Sequence, residues 1–313
     1  MKTALLFPGQ GSQYVGMGRA LWERFPSVRE LFDEACSALG FDVRELCFEG
    51  PEDLLNSTRY TQPSVYVVSV SAYRVLQETT PLPFARVAGH SLGEYAALVA
   101  AGSLTFGEGL RVVRKRAALM DDAAAVTGGG MVAVLGLPRE DVEQICAEAA
   151  DGGVLRPANY NAPNQVVISG EERLLDIAAE KARARGAKTI RLSVSAPFHT
   201  PLMASASEKF LKVLESTPFE SPDPPWVSNV IASEVYTAED CRTLLAQQVC
   251  APVRWEDSIR TMLAFGVERF IELGPGKVLK GLCRRIARET PCDSVDCPED
   301  LEVLQRLSCP GQD

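Results

Sequence analysis

The sequence predicts an α/β protein: a core built on a mainly parallel sheet, with a smaller unit inserted part-way along the chain. Three observations carry that prediction. Apolar strand-like runs alternate with helical segments along most of the length, the pattern of a sheet with helices packed on its faces. The stretch Val87-Ala88-Gly89-His90-Ser91-Leu92-Gly93-Glu94-Tyr95 reads as the end of a buried strand, a tight turn and the start of a helix. Thr127-Gly128-Gly129-Gly130 is the clearest break in composition, and a β-α-β-β-α-β rhythm follows it.

The elements follow in order. Residues 4–7 form a short apolar strand running into Pro8-Gly9-Gln10-Gly11-Ser12-Gln13. That glycine-rich turn lacks the spacing and lysine of a nucleotide cradle, and suits a loop bringing backbone N–H groups and an amide side chain to a site. Residues 18–38 show helical periodicity in Leu21, Phe25, Val28, Leu31, Phe32 and Ala35. A polar stretch with Pro51 and Asn56 leads to Thr61-Gln62-Pro63, where the proline suits a helix start, and 64–76 is read as buried helix. The strand at 86–89 is followed by helices over 92–101 and 107–125. After the glycine break come a strand (131–135), a helix (138–150), strands (154–159 and 165–169), a helix (171–186) and a strand (188–194), the order of a ferredoxin-like unit. Asn161-Ala162-Pro163-Asn164 supplies its hairpin turn. The chain rejoins the core at Ser195-Ala196-Pro197-Phe198-His199-Thr200-Pro201. A helix (202–216), a strand (226–231) and helices near 238–248 and 255–265 follow. The strand Arg269–Leu273 ends in Gly274-Pro275-Gly276-Lys277, a strand-to-helix turn. The domains are drawn as 1–126 with 198–313 for the core and 127–197 for the insert; the tail after residue 290 is left open between a last strand and helix and a loose end.

At 313 residues the chain can hold one large core with an insertion. Hydrophobic content of 46% with 23% charged residues describes an ordinary globular protein. The net charge of −9 argues against a nucleic-acid binder. No run approaches the ~20 apolar residues of a membrane span, and Ala4–Phe7 is too short for a secretory signal, so a cytoplasmic protein off the membrane is expected. Nine scattered cysteines without a C-x-x-C pair read as free thiols rather than a disulfide or zinc framework; Cys292, Cys297 and Cys309 in the tail receive no role.

Chemistry centres on Ser91. Gly89 and Gly93 flank it in a G-x-S-x-G pattern, in which a strained strand-to-helix turn exposes the serine hydroxyl above free helix N–H groups. A serine hydroxyl needs a base to take its proton, and the chain holds only two histidines. His90 directly precedes Ser91, so its side chain should point away and make it a neighbour of the pocket rather than the base. His199, in a proline-bracketed loop, is the base by elimination. For the group orienting its ring, Asp257, Glu272 and Glu94 are all available, and a carbonyl oxygen could serve instead.

Phe7-Pro8-Gly9-Gln10-Gly11-Ser12-Gln13, Gly89-His90-Ser91-Leu92-Gly93-Glu94-Tyr95, Arg116 four residues before Met120, Pro197-Phe198-His199 and Gly274-Pro275-Gly276-Lys277 occur in this order. Together they resemble the malonyl-CoA:acyl carrier protein transacylases of fatty-acid and polyketide synthesis, from residue 4 to about residue 290. The resemblance implies an α/β-hydrolase-like core with an inserted ferredoxin-like subdomain. It implies Ser91 as the nucleophile, His199 as general base and then acid, and backbone N–H groups of Gln10 and Leu92 as oxyanion hole. It further implies the Gln248 carbonyl oxygen as the group orienting the histidine, and Arg116 as the grip on the malonyl carboxylate. Phe198 beside His199 resembles malonyl-selective members, and His90 lines the pocket. A planar guanidinium suits a carboxylate bidentately where lysine does not; Arg111 and Arg114 fit a solvated helix face better.

The implied partners are malonyl-CoA and an acyl carrier protein, both substrates, with no metal or organic cofactor, and a monomer is expected. Carrier proteins are usually acidic, which points to basic patches. Lys181, Arg183, Arg185, Lys188 and Arg191 form one; Lys277, Lys280, Arg284 and Arg288 form a second, on a helix whose other face is read as Val278, Leu282 and Ile286. Two other readings compete: an acyl hydrolase clearing carrier proteins, which has little use for Arg116, and a catalytically silent docking module, against which Ser91, His199, Gln10 and Arg116 all count.

Overall fold

The computed structural model describes residues 2–194 and 196–308. The first part of the chain forms β1 (Thr3–Phe7), α1 (Arg19–Arg24), α2 (Pro26–Leu39), α3 (Val43–Glu49), α4 (Glu52–Leu55), α5 (Thr58–Thr79), β2 (Arg86–Gly89), α6 (Gly93–Ala100) and α7 (Phe106–Thr127). The middle part forms β3 (Gly130–Leu135), α8 (Arg139–Ala150), β4 (Leu155–Ala162), β5 (Gln165–Gly170), α9 (Glu172–Ala184) and β6 (Lys188–Arg191). The last part forms α10 (Ala204–Glu215), β7 (Trp226–Val227), β8 (Glu234–Val235), α11 (Ala238–Gln248), α12 (Trp255–Ala264), β9 (Arg269–Leu273), α13 (Val278–Ile286), β10 (Cys292–Val295) and α14 (Pro298–Ser308).

Six strands make the large sheet in the order β10-β9-β1-β2-β7-β8, parallel except for the β7–β8 pair. Every residue of β1 is buried, as a central strand covered on both faces requires. The register sets Phe7 beside Gly89, so β1 and β2 end at the same level. Their following loops meet at the carboxyl edge of the sheet, where parallel α/β sheets place their sites.

The second sheet is separate and wholly antiparallel, in the order β4-β5-β3-β6. Side chains of β3 alternate between two cores. Val132 and Val134 pack with Ile145, Ile168 and Leu174 under α8 and α9, while Met131 and Ala133 join the main core. A short strap ties the two parts together. Asn159 of β4 bridges in parallel to Val253, with Tyr160 N donating to Val253 O at 2.9 Å and Val253 N to Ala158 O at 2.8 Å.

Several expectations need correcting. The helix expected over 18–38 is two helices broken at Phe25, whose extended backbone follows from the Pro26 ring disfavouring helical geometry in the residue before it. Pro63 does not open α5, which begins at Thr58 and carries the proline inside. The polar stretch before it contains α3, capped by the Asp42 side chain on Glu45 N, and α4. The strand expected over 226–231 keeps only two residues before turning into β8, and that over 188–194 ends at Arg191. The tail forms β10 and α14, with β10 pairing onto β9. The buried face of α13 is Leu279, Leu282 and Cys283; Val278 is exposed and Arg288 lies past the helix end. Ser195 and Cys309 lie outside the described residues.

Among the described residues every cysteine is a free thiol, no His/Cys/Asp/Glu cluster could hold a metal ion, and no helix is long and apolar enough to cross a membrane.

Candidate active site

The turn between β2 and α6 is shaped by contact as much as by hydrogen bonding. A Cβ on Gly89 would sit 1.9 Å from the Gly93 carbonyl carbon, and one on Gly93 2.0 Å from Phe7 O. Only glycine lets strand and helix close this far. Between them Ser91 takes φ 50°, a left-handed backbone costing about 1–3 kcal/mol in a residue with a side chain. What offsets that cost is a clamp from Asn229, which follows β7. Its Oδ1 accepts from Ser91 N at 2.7 Å, and its Nδ2 donates to Gly89 O at 2.7 Å. The turn's own bonds employ the amides of Gly93, Glu94 and Tyr95 but not that of Leu92, a residue that lines the site.

His199, also left-handed at φ 61°, meets Ser91 from the other side. Its Nε2 stands 2.9 Å from Ser91 Oγ, and its Nδ1 faces two carbonyl oxygens, Gln248 O at 2.8 Å and Ala251 O at 3.1 Å. Carbonyls only accept, so Nδ1 carries the proton and Nε2 is left to accept from the serine hydroxyl. Burial, reinforced by the Arg116 charge and opposed by the two carbonyls, pushes the imidazole down to about 3, so the ring is neutral and ready to take a proton.

The orienting group is therefore a carbonyl pair, and none of the three carboxylates touches the ring. Asp257 pairs with Arg139 and Arg254. Glu272 accepts from the first amides of α13, Leu279 N at 2.9 Å and Lys280 N at 2.8 Å. Glu94 lies beneath Ser91, accepting from Asn229 N at 2.7 Å and from Gln248 Nε2. Fully buried, its carboxyl is pushed up to about 8 by desolvation, with those bonds and Arg116 pulling the other way.

Arg116 is 1% exposed and comes from the face of α7 turned toward the site. Nη1 donates to Gln62 Oε1 at 2.8 Å; Nη2 donates to Gln248 Oε1 at 2.7 Å and to Ser91 Oγ at 3.1 Å. The guanidinium has five N–H donors and these bonds use three; Nε has no acceptor. Among the described residues no carboxylate touches this buried cation, although burying an ion costs several kcal/mol.

Ser91, His199, Arg116 and Gln62 border a cavity of about 90 Å³, together with Gln10, His90, Leu92, Met120, Met131 and Phe198. His90 turns away from Ser91, with Nε2 2.8 Å from Asn161 Oδ1 and its ring against Trp255. Gln10 is held through Nε2 to Thr58 Oγ1 at 3.1 Å. Thus Ser91, His199, Arg116, Gln248, Gln10, Leu92, His90 and Phe198 all gather here, whereas Asp257 and Glu272 do not. Two contributors were missed in the sequence. Gln62 lies beside the misplaced helix start, and Asn229 falls where a longer strand was expected.

Two comparisons give this geometry a family. A family model described as "Acyl transferase domain" matches residues 4–297. A Bacillus subtilis protein named malonyl CoA-acyl carrier protein transacylase is 41% identical over 304 residues, covering 96% of both chains. The chain belongs to the malonyl CoA-acyl carrier protein transacylase family.

The Escherichia coli K12 member is 41% identical over 305 residues, covering 97% of this chain and 99% of its own. Among solved members, an acyl-carrier-protein S-malonyltransferase from Burkholderia pseudomallei matches with a TM-score of 0.95 at 42% identity, covering 98% of this chain and all of that one. A member solved in complex with its type II PKS acyl-carrier protein matches with a TM-score of 0.94 at 40% identity, covering 97% of this chain and 98% of that one.

Proposed function

We propose that the chain is an acyltransferase moving a malonyl group from malonyl-CoA to the phosphopantetheine thiol of an acyl carrier protein, through an ester on Ser91. One observation carries the reading: a buried arginine with unused N–H donors, free of any carboxylate, within hydrogen-bond reach of the nucleophile. Such a group awaits an acyl chain that brings its own negative charge.

In the first half-reaction Ser91 Oγ attacks the thioester carbonyl while His199 Nε2 takes its proton. The tetrahedral oxyanion accepts from the Gln10 and Leu92 amides, the C–S bond breaks, and His199 returns the proton to the leaving thiolate. The second half-reaction runs the same steps with the carrier thiol as nucleophile and Ser91 as leaving group. Burial does most to depress His199 and the Arg116 charge adds to it; a malonyl carboxylate on Arg116 offsets that second part, so the correct acyl group strengthens its own base. The chemistry draws on no metal or organic cofactor. Within this reading the large sheet is an α/β-hydrolase-like core, residues 127–197 are an inserted ferredoxin-like subdomain, and the enzyme works as a cytoplasmic monomer. A hydrolase of carrier-bound acyl groups would leave Arg116 without a task, and a silent docking module would leave the Ser91–His199 pair without one.

Intact-mass measurement after incubation with malonyl-, methylmalonyl- or acetyl-CoA tests the proposal. A malonyl adduct on Ser91 is expected, absent in Ser91→Ala. Arg116→Ala should cut the malonyl-to-acetyl preference by about 10²-fold, near 3 kcal/mol for a charge-assisted bidentate pair, and Arg116→Lys should not restore it. Equal labelling by all three thioesters, or hydrolysis alone, would overturn the assignment.

A further inference from the structure

Resting on that reading, we infer that Glu94 is a positioning residue for Arg116, acting through the side-chain amide of Gln248 to set the preference for a carboxylate-bearing acyl group. The Gln248 amide has a sense. Its Nε2 donates to Glu94 and to Ser91 O at 2.8 Å, and its Oε1 accepts from Arg116 Nη2 at 2.7 Å. Reversed, it would aim its oxygen at two acceptors and its NH₂ at a guanidinium, losing all three bonds. Ser91 O and Glu94 hold the amide in the working sense, and of the two only Glu94 is a side chain that substitution can change. Glu94 is itself fixed by Asn229 N, within the cluster that shapes the Ser91 turn.

The placement of the groups points the same way. Glu94 and Arg116 are both buried and do not touch; the Gln248 amide stands between them, polarised along the line joining them. In a low-dielectric interior such a chain of bonds strengthens each member. Glu94 holds the amide that keeps the buried guanidinium in place before substrate arrives, while the intervening amide leaves its remaining donors open. Direct contact would have occupied them.

Glu94→Gln keeps the shape but brings an amide that cannot accept at both of its ends. Loading rates with malonyl-CoA and acetyl-CoA are measured by intact mass on wild type and variant, with thermal unfolding as a check on folding. The malonyl-to-acetyl ratio is expected to fall at least tenfold, mainly through KM for malonyl-CoA. Gln248→Met, which keeps the backbone carbonyl toward His199 and deletes the amide, should lower the ratio likewise, and decides the matter if Glu94→Gln does not fold. General damage lowers both rates together. A ratio that stays put, or that rises, overturns the assignment. If wild type itself forms no malonyl adduct, the proposed function has failed and this inference falls with it; if wild type prefers malonyl and the variants keep that preference, only the inference fails.

Discussion

Ser91 and His199 share a backbone habit: each carries a side chain in the left-handed region that glycine would occupy more cheaply. That strain aims two side chains from distant parts of the chain at one point, and it persists because Asn229 and the Gln248 and Ala251 carbonyls hold both ends. One consequence is measurable. The neutral imidazole is the competent form, and burial with the Arg116 charge lowers its pKa, so activity is lost only as pH falls through that depressed value. The acid limb of kcat/KM for malonyl loading should therefore lie below about pH 5, and a limb near the ordinary histidine value would contradict the neutral-base picture. At this scale Ser91 and His199 were legible because the chain offers so few alternatives: one elbow serine and two histidines. Arg116 and Gln248 were legible only by resemblance, since an arginine on a long helix and a glutamine at a helix end have no local signature. Asn229 gave no signal, because a clamp is defined by what it meets and its partners lie about 135–140 positions away.

The strand–turn–helix unit β2–α6 depends on glycine for packing more than for torsion. Neither Gly89 nor Gly93 has a left-handed backbone; what forbids a side chain at either is fixed main chain about 2 Å from where its Cβ would stand. Gly93→Ala should therefore cost about 4 kcal/mol, the large end for a single substitution, and lower Tm by about 10 °C. Gly102→Ala, left-handed at φ 69° but facing open space, should cost about 1 kcal/mol. Equal shifts for the two in a thermal unfolding comparison would refute the packing account. Most elements were readable from periodicity, and the β-α-β-β-α-β order of the middle segment came through intact. The errors were at boundaries. Pro26 broke a helix that its apolar spacing had joined, and on α13 Val278, read as part of the apolar face, is exposed while Leu279 and Cys283 are buried beside Leu282.

Across the whole molecule, charge separates the two basic patches. In the middle segment Lys181 and Arg185 are spent on Glu148, and Arg191 on Glu172 and Asp176. On α13, Lys280 and Arg284 have no ion-pair partner among the described residues, while Lys277 reaches Asp300 at 3.8 Å. Among the described residues Arg183, which donates to Thr189 Oγ1, and Lys188 are without an ion pair in the first patch too. On α13, however, Lys280 and Arg284 stand one turn apart on a single helix, where an acidic carrier would find uncompensated charge. Lys280→Glu with Arg284→Glu should raise KM for the carrier about tenfold at low salt while malonyl loading of Ser91 continues. Carrier kinetics that do not respond would dispose of this surface.

The strap between Asn159 and Val253 has a consequence for anyone recombining these proteins. Gln248 O and Ala251 O, which aim the histidine, belong to the stretch that leads to Val253 and through it to β4. His199 itself hangs from the far end of the middle segment. A transplant of residues 127–197 from a relative would thus import one half of a hinge pin and leave the other behind. An exchange of the middle segment is therefore expected to keep the catalytic alignment only when residues 248–254 travel with it, two pieces far apart in sequence that meet at this strap.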